Sequence, residues 1–180
     1  MPRRYWTCYW REKHWLNNPP HEPLRGSGGS FSKRGVLKGD VVYVVSQRAG
    51  QLLLGGRMTV ARITTREDAV RIFDNNSLYK AHEWVIAGKG SGTPLHLHRK
   101  LAPEVTKHLR FLSGKSGGST GLLFVNDHHL DRQTTRIVRE LAMESVSLLD
   151  EIIEMTDKLK SPITITDRLL RKYRRGCALI

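Results

Sequence analysis

GVLKGDVVYVV, residues 35–45, carries the strongest structural signal in the sequence. It ends in an unbroken apolar run, which is the pattern of a strand buried on both faces. Residues 47–50 can then turn the chain into a second apolar run at residues 51–54. Gly55-Gly56 predicts a bulge or a tight turn before an alternating strand over residues 58–63. We therefore expect a sheet at the centre of the molecule.

The residues upstream of this stretch predict a strand followed by a loop. Residues 5–10 are rich in aromatic side chains that favour strands, and a period of two puts Trp6, Cys8 and Trp10 on one face. Residues 17–32 contain Asn-Asn-Pro-Pro and Gly-Ser-Gly-Gly, so we expect them to form a loop.

The residues downstream predict a helix, several strands and a helical end. Thr65 is predicted to cap a short helix that ends near Phe73. Further strands are expected at residues 83–87, 95–98, 109–112 and 121–125. From Leu130 to about Leu159 the apolar residues follow a helical period. The predicted fold class is α+β, with a mixed sheet or small barrel followed by a helical C-terminal segment.

The charge of the chain favours a polyanionic partner. Its 180 residues include 30 Lys and Arg against 17 Asp and Glu, a net charge of +13. Nucleic acid is the first partner that this charge suggests, and an acidic membrane surface is the second. The basic tail at residues 168–175 is expected to add a phosphate contact or a partner helix.

Neither a membrane span nor secretion is predicted. No segment approaches the ~20 apolar residues of a transmembrane helix. The start, Met1-Pro2-Arg3-Arg4, leads into aromatic residues and not into the apolar segment of a secretory signal. The two cysteines, Cys8 and Cys177, are too few for a disulfide framework. We expect a cytoplasmic location and no membrane partner.

No motif supports catalysis or a bound metal. Gly114-Lys115-Ser116 imitates the end of a phosphate-binding loop, but Leu109 stands where that loop requires its first glycine. His96 and His98 share a strand face, a geometry that metals can use, yet no cysteine cluster accompanies them. We predict a protein without catalytic activity, metal or cofactor. A nucleic-acid-processing enzyme or defence component with a His-based site is an alternative.

Aromatic residues crowd the N-terminal end beside a basic loop. Trp6, Trp10 and Trp15 are followed by Ser30-Phe31-Ser32. Aromatic faces stack on nucleobases, while Lys and Arg bind phosphates. Packing in the core is the alternative role for each tryptophan. We expect Phe31 and Trp6 to face a ligand before Trp10 does, because Phe31 lies in a Gly/Ser-rich segment.

Residues 4–63 resemble the start of an EVE domain, in the PUA-like superfamily that also includes the YTH and ASCH domains. The resemblance rests on the opening Tyr5-Trp6, on Ser30-Phe31-Ser32, on the Gly39-Asp40 step into residues 41–43, and on residues 58–63 as the following strand. Residues 83–86 resemble a later strand that carries a tryptophan, and looser similarity extends to about residue 145.

The resemblance implies a PUA-like mixed β pseudo-barrel with flanking helices and a pocket for a flipped or modified base. It divides the chain into an EVE/PUA-like domain, residues 1–145, and a helical C-terminal extension with a basic tail, residues 146–180. The candidate base-binding residues are Trp6, Trp10, Trp15, Ser30, Phe31, Ser32, Ser46 and Trp84. The candidate phosphate-binding residues are Lys33, Arg34, Lys38, Arg57 and Arg62.

Together these features predict a non-catalytic nucleic-acid-binding module that recognises a modified or flipped base through an aromatic pocket. Basic residues supply affinity in this hypothesis, and the pocket supplies selectivity. A structural protein that binds RNA nonspecifically is a further alternative. The C-terminal helices could also bind a protein partner.

Overall fold

The computed structural model describes residues 2–11, 14, 21–96, 99–113, 117–159 and 164–165. Trp15, His98, the Gly114-Lys115-Ser116 segment and the basic tail, for which the sequence suggested roles, lie outside the described residues. The strands are β1 (Tyr5–Tyr9), β2 (Gly26–Gly29), β3 (Val41–Arg48), β4 (Gln51–Thr64), β5 (Glu83–Ala87), β6 (Lys100–Leu101), β7 (Phe111–Leu112), β8 (Ser119–Thr120), β9 (Phe124–Asn126), β10 (His129–Leu130), β11 (Arg139–Glu140) and β12 (Thr164–Ile165).

Three α-helices accompany these strands within the described residues: α1 (Arg66–Phe73), α2 (Pro103–His108) and α3 (Met143–Leu159). Thr65 caps α1 as predicted, since its side chain accepts a hydrogen bond from the Asp68 amide at 3.2 Å. In the part of the chain that the structure describes, no helix combines the length and the apolar content that crossing a membrane requires.

An eight-stranded mixed sheet forms the centre of the molecule, with the path β11-β1-β3-β4-β5-β2; β6 also pairs with β4, and β12 pairs with β6. β1 runs parallel to β3, whereas β3, β4, β5 and β2 pair antiparallel in succession. The predicted α+β class is confirmed. Within the described residues the end strands β11 and β2 do not pair with each other, so this sheet does not close into a barrel.

The apolar stretch predicted to be buried on both faces is β3, and seven of its eight residues are buried. Val41, Tyr43 and Val45 point into one core cluster, while Val42 and Val44 point into another. Because side chains alternate along a strand, an unbroken apolar run supplies both clusters at once. The prediction for this strand is confirmed.

β4 continues without a turn over all 14 of its residues, so the tight turn considered at Gly55-Gly56 is not formed. The predicted bulge is formed at this position. Val44 of β3 pairs with Gly56 of β4 and Val45 pairs with Leu54, which leaves Gly55 as the extra residue. The strand after this bulge pairs with β5, and β5 in turn pairs with β2.

Helix α3 packs on the sheet through the core cluster that contains Tyr43. Leu149 and Ile152 of α3 are fully buried in this cluster. The Tyr43 hydroxyl donates to Asp150 Oδ1 at 2.5 Å, and Asp150 also pairs with Arg57. Burial and the Asp150 carboxylate raise the pKa of Tyr43. The boundary proposed between residues 145 and 146 falls inside this helix.

Two predicted segments differ in the structure. Residues 26–29 form strand β2, not a loop, because these small residues pair with β5 where larger side chains would collide with the neighbouring elements. The helical segment predicted from Leu130 to about Leu159 is confirmed only from Met143, where α3 begins; β10, a short 3₁₀ turn and β11 occupy residues 129–140. Asp131 starts that turn, since its side chain accepts from the Gln133 amide at 2.8 Å.

The shorter predicted strands are only partly formed. Residues 109–112 contain a two-residue strand at Phe111–Leu112, while Leu109 ends α2. Residues 121–125 overlap β9 at Phe124–Asn126. Leu95 and His96, from the strand predicted at residues 95–98, do not belong to any of the strands named above.

Candidate aromatic binding site

A cavity of about 240 Å³ lies where β2 and β5 meet the end of α1. We call it the aromatic cavity. Trp10 reaches it from the end of β1, Phe73 from the last residue of α1, Tyr79 from the connection after α1, and Trp84 from β5. Its wall consists of Trp10, His14, Glu22, Pro23, Leu24, Arg25, Gly26, Phe73, Asn75, Ser77, Leu78, Tyr79, Trp84 and Leu95.

The aromatic rings of the wall contact one another at tilted angles. The Tyr79 and Trp84 centroids are 5.0 Å apart with 50° between the planes. Phe73 meets Trp84 at 6.1 Å and 64°, and His14 lies 4.1 Å from Tyr79. The separations of Trp84 from Tyr79 and from Phe73 are typical of stabilising aromatic pairs. The packing holds Tyr79 and Trp84 in place as two faces of the wall.

Glycines in β2 make room for this arrangement. A Cβ atom on Gly28 would lie 2.8 Å from the Tyr79 hydroxyl and 2.7 Å from Ala81 Cβ. Since Gly28 carries no Cβ, the Tyr79 hydroxyl reaches its backbone and donates to the Gly28 carbonyl at 2.6 Å. Gly26 similarly admits the Phe73 ring, whose Cζ would lie 2.6 Å from an added Cβ.

The polar atoms of the wall differ in their hydrogen bonding. Trp10 Nε1 donates to Ser27 Oγ at 2.7 Å, and Tyr79 donates to Gly28 as described. Trp84 Nε1 is buried and has no hydrogen-bond partner among the described residues. The two bonded donors are therefore held by the protein itself, and Trp84 Nε1 is enclosed within it.

The formal charges on the cavity wall are those of Arg25 and Glu22. Burial raises the pKa of Tyr79, so that its hydroxyl is neutral at physiological pH. Burial also raises the pKa of Cys8, beside Ser27, to about 11, which keeps the thiol protonated and unreactive. Arg25 lies with its guanidinium carbon 5.3 Å from the Phe73 ring centroid, and Glu22 lies on the same wall.

The rim of the cavity is made by two segments that pair with each other. His21 N donates to the Leu95 carbonyl at 2.9 Å, and Leu24 N donates to the Thr93 carbonyl at 3.0 Å. Next to this rim, His96 Nε2 lies 2.9 Å from Asp157 Oδ1, which also receives Arg99 at 2.8 Å. Through Asp157, the last turns of α3 contact the segment that continues from the rim.

The structure puts Trp6 and Phe31 in the core and not on the cavity wall, so they do not precede Trp10 as the sequence analysis expected. Trp6 is 3% exposed and Phe31 is fully buried. Trp6 Nε1 donates to Asp40 Oδ2 at 2.9 Å, and the same carboxylate accepts from the Leu37 amide at 2.9 Å. We call Trp6, Phe31 and Asp40 with these contacts the Asp40 corner.

The serines expected to contact a base lie outside the wall. Ser46 is buried, and its hydroxyl donates to the Trp10 carbonyl at 2.7 Å. Ser32 is exposed, and its amide donates to Glu83 Oε2 at 2.7 Å, as the Phe31 amide does at 2.8 Å. Ser30 is half-buried. Trp10 and Trp84 are the two predicted base-binding residues that the structure brings together.

Four of the five predicted phosphate-binding residues are exposed: Lys33, Arg34, Lys38 and Arg62. The fifth, Arg57, is partly buried and pairs with Asp150 of α3. None of the five lines the aromatic cavity. Any phosphate contacts of these exposed residues therefore lie away from the cavity wall. On the wall itself, Arg25 is a cation that can contact a phosphate.

Phe73, Tyr79, Arg25 and His14 were not among the predicted site residues. Phe73 was predicted only as the end of a short helix, and Tyr79 lies in a connection without a recognisable motif. An aromatic residue soon after the end of a helix was the one available signal. Their convergence depends on how the chain folds back on β2 and β5, which residue spacing does not encode.

The described residues contain no group of three or more His, Cys, Asp or Glu side chains that could hold a metal ion. His96, half of the His pair singled out in the sequence, bonds to Asp157 and packs edge-on against His21 at 5.2 Å. These contacts account for His96 as a structural residue next to the rim.

Comparison of the chain with protein-family models, with curated proteins and with solved structures finds no match. The geometry of the aromatic cavity is therefore the basis for the functional argument.

Proposed function

We propose that the protein binds nucleic acid and takes one unstacked base into the aromatic cavity. The observation that carries this proposal is the convergence of Trp10, Phe73, Tyr79 and Trp84 on a single cavity. Base–aromatic stacking contributes about 1–3 kcal/mol per base. A ring entering beside Tyr79 and Trp84 gains such contacts on surfaces that the protein already holds in place.

The size and polarity of the cavity favour a flat, uncharged ligand. At about 240 Å³ it is smaller than the ~300–1,000 Å³ of sites for drug-sized molecules, which suits one ring system. A buried ion needs a partner of opposite charge, and the guanidinium that the wall offers, Arg25, already lies against the Phe73 ring. A nucleobase fits these requirements, with its sugar and phosphates remaining at the rim.

The charge of the chain supplies the long-range attraction for such a ligand. A net charge of +13 favours a polyanion, and Arg25 lies on the cavity wall, where a phosphate next to the inserted base can reach it. Glu22 on the same wall disfavours a phosphate at its own position. We therefore infer that the backbone passes on the Arg25 side.

We further propose that the sheet is a variant of the EVE-type, PUA-like fold. The order of elements supports this: β1 with Trp6, the Gly39-Asp40 step into β3, then β4, and β5 with Trp84. Asp40 gives the step a physical role, because its carboxylate accepts from the Arg4 amide at 3.1 Å and from the Trp6 indole. The open sheet is a departure from a closed barrel.

The proposal is tested by measuring fluorescence anisotropy with two labelled 12-nucleotide strands, one of mixed sequence and one whose backbone is abasic throughout. Phosphate contacts are common to both strands, so a difference in affinity reports the bases. We expect the mixed strand to bind about 5- to 150-fold more tightly, the equivalent of stacking one base.

Equal affinity for the two strands would contradict insertion of a base and would favour nonspecific binding through the basic surface. Absence of binding to either strand at low salt would exclude nucleic acid as the partner. The measurement is repeated with modified bases in the mixed strand, because the resemblance to readers of modified bases suggests that a modified ring binds best.

A further inference from the structure

Strand β2 contributes its backbone to the wall of the aromatic cavity at Gly26. β2 is the last strand on its side of the sheet, so within the described residues one of its edges pairs with β5 and the other is free. Gly26 is half-buried and not closed off from the cavity that it lines. The direction of its peptide groups decides what the wall offers to a ligand there.

The pairing of β2 with β5 fixes this direction. The Ala87 amide donates to the Arg25 carbonyl at 2.9 Å, and Gly26 stands opposite Ile86. Bonded and non-bonded positions alternate along an antiparallel pair, so the N–H and the C=O of Gly26 both point away from β5. Neither group forms a hydrogen bond with another described residue.

Gly28 shows that this free edge faces the cavity. It lies two residues after Gly26 on the same strand, so its carbonyl points to the same side of β2. That carbonyl accepts from the hydroxyl of Tyr79, a wall residue, at 2.6 Å. The N–H and the C=O of Gly26 therefore lie on the side of β2 where the cavity is.

Only a glycine leaves this backbone accessible. A Cβ atom on residue 26 would lie 2.6 Å from Phe73 Cζ and 2.6 Å from the Val85 carbonyl oxygen. Because Gly26 has no side chain, the Phe73 ring lies close to the strand, and a flat ligand can approach the peptide groups directly.

We propose that Gly26 binds the inserted base through two backbone hydrogen bonds, with the Watson–Crick edge of the base against β2. The inference rests on the proposed insertion of a base. One N–H and one C=O side by side match an edge that carries an acceptor next to a donor. Each of the four bases has such a pair on its Watson–Crick edge, which unstacked bases present to proteins.

The state of that edge is then the criterion for binding. Stacking alone accepts every base, since each has a flat face. Two backbone hydrogen bonds add the requirement that the edge is neither paired with another strand nor methylated. A modification elsewhere on the ring is compatible with them. Gly26 is thus a specificity-determining residue that selects single-stranded or flipped bases.

The first test measures affinity with 12-nucleotide abasic strands that carry one ring at the centre. The ring is thymine, N3-methylthymine, which has lost the donor, or 2,4-difluorotoluene, a shape isostere that hydrogen-bonds poorly. We expect thymine to be bound about 5- to 30-fold more tightly than the isostere, the effect of two hydrogen bonds. N3-methylthymine should bind no better than the isostere.

The second test follows the Gly26 amide of the wild type by ¹H–¹⁵N spectroscopy. In the free protein this amide should exchange with solvent faster than the amide of Ser27, which is at a bonded position opposite Val85. The thymine strand should slow its exchange and move its proton resonance downfield. The isostere strand should do neither.

The third test replaces the N–H of residue 26 by an ester oxygen, through cell-free translation with glycolic acid. This change removes the donor without adding an atom, so we expect the preference for thymine over the isostere to fall about three- to tenfold. The same replacement at Gly90 is the matched control, because Gly90 is exposed and lies outside the wall. It should keep the preference.

The inference is overturned if the wild type binds thymine and its isostere equally, if the preference survives the ester at residue 26, or if the Gly26 amide is already protected in the free protein. Each of these results can occur while the central ring still improves binding over a fully abasic strand, and the proposed function then stands without this inference. If no central ring gives an improvement, the proposed insertion fails, and the role of Gly26 fails with it.

Discussion

The Asp40 corner and the aromatic cavity are built from the same kinds of residue and differ in how completely those residues are satisfied. At the corner, Trp6 Nε1 has the Asp40 carboxylate as its partner, and Phe31 is fully buried beside it. In the cavity, Trp84 Nε1 has no partner among the described residues, and open space lies against the rings. Aromatic residues are thus common to a core and to a cavity wall, and the unfilled volume beside the rings is what distinguishes the wall.

The largest expected effect is on stability at the corner. Phe31→Ala removes a fully buried ring from the core cluster around Trp6 and leaves a cavity there. We expect the free energy of unfolding to fall by about 3–5 kcal/mol. Urea denaturation followed by circular dichroism measures it. The affinity of the folded fraction for oligonucleotides should stay the same, and a large loss of that affinity would place Phe31 in the site.

The next effect is on binding at the cavity. Tyr79→Ala removes a face of the wall, so we expect the affinity for a base-containing strand to fall by about 1–3 kcal/mol, roughly 5- to 150-fold. Binding to the abasic strand should not change. Tyr9→Ala is the matched control, because Tyr9 is also half-buried and does not line the cavity. An equal loss of affinity in both variants would show that binding does not depend on the wall of the aromatic cavity.

A smaller effect is expected from acidification at the cavity rim. Burial, the Arg99 cation and the His21 ring lower the pKa of His96, and only Asp157 opposes them. Below the ordinary histidine pKa of about 6.5, the unfolded chain therefore binds more protons at this residue than the folded chain does. The stability that depends on neutral His96 is therefore fully present above a pH of about 6.5 and is lost as the pH falls below that value.

The measurement for His96 is the urea midpoint at pH 8 and at pH 5.5. His96→Gln should reduce the difference between the two midpoints, whereas His82→Gln, at an exposed histidine, should leave it unchanged. If His96→Gln has no influence on the difference, the rim does not respond to protonation of His96.

The smallest effect concerns the phosphate contact at the rim. Arg25→Ala should reduce the slope of log affinity against log salt by about 0.7, the value for one phosphate of a single strand. The preference for base over abasic strand should be retained. Arg71→Ala provides the control, since Arg71 is exposed and pairs with Asp68 at 2.8 Å. An unchanged slope in Arg25→Ala would move the backbone path to another basic surface.

Local patterns in the sequence predicted the centre of the fold. The apolar run of β3, the bulge at Gly55 and the Thr65 cap follow from rules that act within a few residues. β2 was missed because a glycine-rich segment looks like a loop until β5 pairs with it. The start of α3 was missed because an apolar period within residues 130–142 fits both a helix and short strands.

The candidate site was predictable only in part, because its residues come from segments that are far apart in the sequence. Trp10 directly follows β1 and Trp84 lies in β5, two segments in which tryptophan is visible in the sequence. Phe73 and Tyr79 reach the cavity from the end of α1 and from the connection after it, so their role depends on contacts between distant segments. Phe31 was misjudged because its Gly/Ser neighbours suggested exposure, while Glu83 in fact holds the backbone around it with two hydrogen bonds.

The most direct test of the central claim is an experimental structure of the protein with a bound 12-nucleotide strand. The account predicts one base inside the aromatic cavity, stacked beside Tyr79 and Trp84, with the adjoining phosphate on the Arg25 side. A strand that lies along another surface while the cavity stays empty would contradict it.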